Sequence, residues 1–244
     1  MILSAALCPS PPLLVRELSG ADPAAAELRE ACSAAVAMLT ASAPDVIAVV
    51  GAADRTETWP TDARLDLSGY GGPPGPGVAR PAPLAVGMGA LLLDEVGYRG
   101  PRLLRSVGPD EPLSGYHRVA AEIDAAAPRV GLLVMADGTA RRTLRAPGYL
   151  DERAAPFDAE IQRAVSTGDL ATLQALDRAL ARELMATGWP ALQVLGAAFG
   201  DRRMSTKVRY ADAPFGVGYL VATVGDLGRV AGRQAHQVPK ILRG

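Results

Sequence analysis

One continuous apolar run, Val46-Ile47-Ala48-Val49-Val50, constrains the fold of this chain more than any other stretch. It shows no alternation with polar residues, so it suits a strand covered on both faces, as in sheets packed between helices. Two further runs share its character. Ile2 to Leu7 is stopped by Pro9, Pro11 and Pro12, which cannot donate to a ladder, and Val130 to Met135 runs on into Ala136-Asp137-Gly138. Between the first two runs lies a helix. Asp22 is placed to cap it, Pro23 suits its first turn, and Leu28, Cys32, Ala35, Val36 and Leu39 recur at helical spacing up to Thr40. Strand, helix and strand in this order predict an α/β fold: a single domain whose central sheet, mostly parallel or mixed, is flanked by helices on both faces. Open sheets of this kind bind ligands outside the carboxyl ends of their strands. The loops after the three runs are therefore where a site is sought.

The rest of the chain fits the same plan. Residues 88–95 and 114–126 read as helices and 102–106 as a strand. Pro156-Phe157-Asp158 begins another helix, Asp169-Leu170 and Asp177 head shorter helical turns, and Pro190 opens an apolar helix through Ala198. Lys207 to Ala211 and Val217 to Val224 read as a closing strand pair. Within a domain spanning 1–224, residues 56–83 form an irregular Gly/Pro-rich insertion, and 225–244 form a weakly patterned tail. The glycines at 71–77 lack the Lys-Ser/Thr of a phosphate loop, and their prolines remove backbone donors, so they read as a structural loop.

Charge removes two classes of partner. Twenty-five Lys and Arg against 26 Asp and Glu leave a net charge of -1, which gives no field to attract nucleic acid or an anionic membrane. No window approaches the roughly 20 apolar residues of a membrane span, and no basic flank precedes the first strand, so a cytoplasmic home is expected. Cys8 and Cys32 have no CxxC or Cys/His spacing and read as reduced, packed thiols. The sequence leaves a homo-oligomer open.

Five phrases, in order, resemble the class III extradiol ring-cleavage dioxygenase B-subunit superfamily, called LigB-like, which includes the Memo-type proteins. They are Pro9-Ser10-Pro11-Pro12-Leu13-Leu14 after the first strand, the second strand with its loop from Val46 to Asp54, and Ala136-Asp137-Gly138-Thr139-Ala140-Arg141 after the central strand. Ala146-Pro147-Gly148-Tyr149 with Phe157-Asp158 follows, and Tyr210-Ala211-Asp212-Ala213-Pro214-Phe215-Gly216-Val217-Gly218-Tyr219 closes the set. The resemblance covers nearly the whole chain to Val224 and implies a LigB-like fold. For an active member it also implies a mononuclear Fe(II) held by two His and one Glu, open to a catecholate and dioxygen, with a further His as acid/base.

This chain departs from that pattern at each of those positions. The first ligand position falls on Ser10, the second in Gly51-Ala52-Ala53, and the acid/base position on Ala140. Near the expected Glu the chain reads Met185-Ala186-Thr187, with Glu183 the nearest carboxylate. Ala binds no metal and Ser is a poor ligand at neutral pH, so no metal and no cofactor is expected where the family would use Fe(II). The chain has only two histidines, and a relocated two-His site would need both His117 and His236.

Other polar residues are weighed against plainer roles. Ser10, Asp54 and Asp137 are the catalytic candidates, although Ser10 suits a turn between prolines and Asp137 beside Gly138 suits a loop turn. Arg141, Arg142 and Arg145, with Arg55 and Arg153, could receive a carboxylate or phosphate, or could be solvated surface arginines. Tyr116, Tyr149, Tyr210, Tyr219 and Trp189 could line a site for a planar ligand or could simply be core. The expected ligand-binding cleft gathers Ser10, Asp54, Arg55, His117, Asp137, Arg141 and Glu183. The leading expectation is a metal-free binding or scaffold protein for an anionic or aromatic small molecule. The alternative is a divergent enzyme acting on a catechol-like or carboxylated aromatic substrate, including a ring-cleavage dioxygenase with a rebuilt metal site.

Overall fold

The computed structural model of the chain describes residues 1–72 and 80–225. Its strands are β1 (Ile2–Cys8), β2 (Val46–Ala52), β3 (Glu57–Trp59), β4 (Arg102–Val107), β5 (Val130–Met135), β6 (Thr206–Asp212) and β7 (Tyr219–Val224). They form one sheet in the order β3-β4-β2-β5-β1-β7-β6. The four central strands are parallel, while β3, β7 and β6 each run antiparallel to the neighbour that holds them. The helices are α1 (Arg16–Ser19), α2 (Pro23–Ala41), α3 (Leu84–Glu95), α4 (Leu113–Asp124), α5 (Ala154–Thr167), α6 (Arg178–Glu183) and α7 (Trp189–Phe199).

Strand periodicity explains why the three apolar runs show no alternation. In β2 and β5, Ile47, Val49, Leu133 and Met135 face α2 and α3, whereas Val46, Ala48, Val50, Leu132 and Val134 face α4, α5 and α7. Successive residues therefore enter different cores, and both sides of the central strands must be apolar. Each fully buried Val or Leu contributes about 1.5–3 kcal/mol of transfer free energy, so the central strands carry much of the fold's stability.

Helix ends follow local chemistry. The Asp22 carboxylate accepts from Ala25 N at 2.9 Å to cap α2, and Asp177 accepts from Ala179 N at 2.8 Å and Leu180 N at 3.0 Å to cap α6. Where β2 ends, α3 lies against its backbone. A Cβ on Gly51 would stand 2.7 Å from Ala85 Cβ and 2.9 Å from the Val86 nitrogen, so this position admits no side chain.

Several sequence expectations are corrected. Helix α3 starts at Leu84, not Met88, directly after Pro83; Gly87 and Gly89 dilute the helical signal of its first turns. The helix expected at Pro156 begins at Ala154, and the turn at Leu170–Ala175 is a 3-10 helix. The insertion at 56–83 holds regular structure. Strand β3 pairs Glu57 with Ser106 and Trp59 with Leu104, and Ser68–Tyr70 is a 3-10 turn. Trp59 Nε1 donates to Ser106 Oγ at 3.0 Å, which ties this edge down. Three residues are too few to show a period. Most of the glycine cluster, and the tail with His236, lie outside the described residues.

Candidate functional site

The neighbouring strands β2 and β5 send the chain to opposite faces of the sheet, β2 towards α3 and β5 towards α5, and so leave a crevice beyond their carboxyl ends. There a cavity of ≈ 390 Å³ opens on the α7 side of β2. Ala52, Ala53, Ala186, Pro190 and Trp189 wall it, and Asp54, Arg182 and Met185 stand among its remaining lining residues.

The turn between α6 and α7 shapes this space. Gly188 N donates to Asp137 O at 3.1 Å, and a Cβ on Gly188 would lie 2.4 Å from both the nitrogen and the oxygen of Asp137. That contact holds the start of α7 against the loop after β5. Met185, in the same turn, has a left-handed backbone (φ 55°). Trp189 packs edge-to-face on Tyr116, with ring centres 5.7 Å apart, and the Arg178 guanidinium lies 5.5 Å over its ring. Tyr116 donates to Gly108 O at 2.9 Å, and burial pushes its phenol up to about 12. Arg178 and Arg182 are both committed to Asp110 and to the carbonyl of Pro109. Trp189 Nε1 is buried and has no hydrogen-bond partner among the described residues.

Ser10 and Asp137 meet beside this crevice. Ser10 N donates to Asp137 Oδ1 at 3.0 Å and Ser10 Oγ donates to Oδ2 at 2.9 Å. Ser10 is only 3% exposed. Desolvation raises the Asp137 carboxyl above its ordinary value, and the two Ser10 hydrogen bonds hold the rise in check. Asp137 also lines a smaller cavity of ≈ 130 Å³ between β1, β7 and α5, together with Arg142 and Asp158. Asp158 is fully engaged there: it accepts from Thr139 N and Thr139 Oγ1 at 2.9 Å each and pairs with Arg142 at 2.9 Å.

The other expected site residues do not converge with this pair. Asp54 is exposed and lines the larger cavity, while Arg55 is exposed with its carbonyl accepting from Ser106 Oγ at 2.7 Å. Glu183 faces outward and pairs with Arg153 at 2.8 Å; Arg153 also holds Asp151, pulling that carboxyl down to about 2. Arg141 packs beside Gly148, Arg142 turns to Asp158, and Arg145 is exposed, so these arginines form no common anion fork. His117 lies on the outer surface of α4 against Gln174, in a shallow pocket with Met1 and Asp124, and takes no part in either cavity at the carboxyl edge. Its helix presents it to solvent because Tyr116, Val119, Ala120 and Ile123 take the buried face. Tyr210 and Tyr219 are buried, and burial raises both phenols, Tyr210 to about 12. Cys8 and Cys32 are both buried free thiols, and the contact with Cys8 together with burial pushes the Cys32 thiol up.

No family model matches this chain, and no curated protein does. The fold, however, has a solved counterpart. A crystal structure of an uncharacterised protein from Escherichia coli K12 superposes with a TM-score of 0.53 at 14% identity, covering 91% of this chain and 100% of that one. At that identity the likeness concerns the fold alone.

The residues present do not fit the Fe(II) centre that the resemblance implies. Gly51 is closed to any side chain by α3, Ala52 and Ala53 offer no donor, and the Ser10 hydroxyl spends its proton on Asp137. Glu183 points away into its ion pair with Arg153. Among the described residues no three His, Cys, Asp or Glu side chains come together as a metal would require. Sequence reasoning located this edge and the segments at 51–54 and 185–190, but it did not single out Ala52, Ala53, Ala186 and Pro190 as walls or Asp110 as the acceptor of two arginines. Alanine and proline carry no chemical signature, and only the fold brings these segments together.

Proposed function

We propose that this chain is a LigB-like superfamily protein that binds a small molecule in the cavity beyond β2 and β5 and uses no Fe(II) centre there. One observation carries the reading: a ≈ 390 Å³ cavity, largely apolar, lies at the carboxyl edge where open α/β sheets bind ligands. Its alanine and proline walls with Trp189 favour an apolar or aromatic body over a strongly anionic one, because Arg178 and Arg182 already share Asp110. The absence of imidazole or carboxylate donors at the family's ligand positions supports the metal-free half. A cytoplasmic home accords with two free, buried cysteines. A divergent enzyme built on Ser10 and Asp137 is the weaker reading, since neither residue lines the larger cavity.

The reading is tested by titrating the protein calorimetrically with ethylbenzene, acetophenone and benzoate, beside an Ala53→Trp variant whose indole fills the cavity. At least one probe is expected to bind the parent with unit stoichiometry and to lose measurable binding in the variant, while far-ultraviolet dichroism stays unchanged. Metal analysis after purification without chelators is expected to find no stoichiometric iron. Binding that persists in Ala53→Trp, or one iron per chain, would overturn the respective half.

A further inference from the structure

Four buried side-chain nitrogens lack a partner among the described residues: Arg105 Nε, Arg141 Nε, Arg209 Nε and Trp189 Nε1. Arg105 and Arg209 use their other nitrogens, Arg105 on Thr58 and Glu122 and Arg209 on Met38. Trp189 has no second donor. An indole carries a single N–H, so its side chain is left with no hydrogen bond at all while it is only 5% exposed. Leaving a buried donor without an acceptor is costly, and nearly all buried polar groups in native proteins have a partner, so this one calls for an explanation. The residue that carries it, Trp189, lines the ≈ 390 Å³ cavity.

From this we infer that Trp189 is the polar anchor of the cavity and that its N–H receives the acceptor oxygen of a neutral, carbonyl-bearing apolar molecule, such as an aryl ketone, amide or lactone. The inference rests on the proposed binding role of the same cavity and adds the ligand's chemical class. Charge decides for a neutral acceptor. Arg178 lies over the Trp189 ring and Arg182 lines the cavity, yet both donate to Asp110 and Pro109 O, and Asp54 adds a second negative charge at the lining. Two arginines against Asp54 and Asp110 leave no net positive charge for a carboxylate, whose burial without a counter-ion is costly. A neutral carbonyl needs only one donor. Nε1 has almost no surface open to water, so the ligand oxygen reaches it as a lining side chain moves aside. Met185 is suited to that: an unbranched thioether, 39% exposed, in the turn beside Trp189.

The chain has two tryptophans, so a ¹⁵N-labelled sample gives two indole N–H signals, assigned by Trp189→Phe and Trp59→Phe. Trp59 Nε1 is bonded to Ser106 and serves as the internal reference. Acetophenone is expected to shift the Trp189 signal and leave that of Trp59 in place, while ethylbenzene, which has the same bulk and no acceptor, binds without the downfield shift. Trp189→Phe is expected to weaken acetophenone about threefold to tenfold more than it changes ethylbenzene, since both probes meet the smaller ring and only acetophenone loses a donor. Benzoate is expected to bind about tenfold more weakly than acetophenone or worse.

If acetophenone binds and is lost in Ala53→Trp, yet the Trp189 signal does not move, the N–H points at the Tyr116 ring and the anchor is refuted while the cavity reading stands. Benzoate binding more tightly than acetophenone refutes the neutral class. Binding of none of the three probes removes the cavity reading itself. The signal is read on the unsubstituted protein, so a poorly folding Trp189→Phe leaves the test decisive.

Discussion

The Asp137 carboxyl accepts two hydrogen bonds, from Ser10 N and Ser10 Oγ, and neither donor is a cation. Burial raises its pKa, so the folded protein keeps the proton more tightly than the unfolded chain does. Stability on this account falls as pH rises from the ordinary carboxylate value, about 4, through the raised one. An asparagine has the shape of the neutral acid at every pH: its Oδ1 can accept from Ser10 N and its Nδ2 can donate to Ser10 Oγ. Asp137→Asn is therefore expected to be more stable than the parent at pH 7, with the gap closing below about pH 4. Urea unfolding over a pH series measures this, and a variant less stable at pH 7 would mean that the ionised carboxylate is itself required. Ser10 and Asp137 were both legible as site candidates, since each sits in a loop at a strand's carboxyl end. Their contact was not, because 127 residues separate them and nothing local links the two.

The element that decides the cavity is the short turn from α6 to α7. Its fit rests on Gly188, which has no room for a Cβ against the Asp137 backbone. Backbone cannot retreat as a flexible side chain can, so Gly188→Ala is expected to cost roughly 3 kcal/mol, the upper end for overpacking. It should also weaken any ligand of the cavity by prising α7 from the sheet. Thermal unfolding and the acetophenone titration report the two effects, and an alanine variant as stable as the parent would show that the turn has slack. At this scale the sequence was informative where a rule of chemistry applies. Asp22 and Asp177 cap helices as their side chains suggest, and the apolar runs are strands. It was silent where burial alone decides: β3 is three residues long, and α3 carries two glycines that only packing tolerates.

Across the whole molecule, one sheet divides two cores and joins them, because each central strand gives alternate residues to either side. Neither core can lose its wall while the other keeps it. The two tryptophans sit in different cores, Trp59 on the α3 side and Trp189 on the α7 side. Single-tryptophan variants, Trp59→Phe and Trp189→Phe, are expected to show fluorescence transitions in urea that coincide with loss of helical dichroism in the same variant. A separate transition for one tryptophan would reveal two independent folding units. The α/β architecture was legible at this scale from three apolar runs and their loops, whereas the cavity was not, since its walls come from segments more than a hundred residues apart. Those walls are largely alanine, and alanine is the smallest side chain that still fixes a backbone. Enlarging Ala52, Ala53, Ala181 or Ala186 one at a time subtracts volume from a frame held by main-chain contacts, so the size of guest that the proposed site would admit is adjustable by graded trimming of an existing space. That makes the edge of this sheet a natural starting point for a family of receptors graded by ligand size.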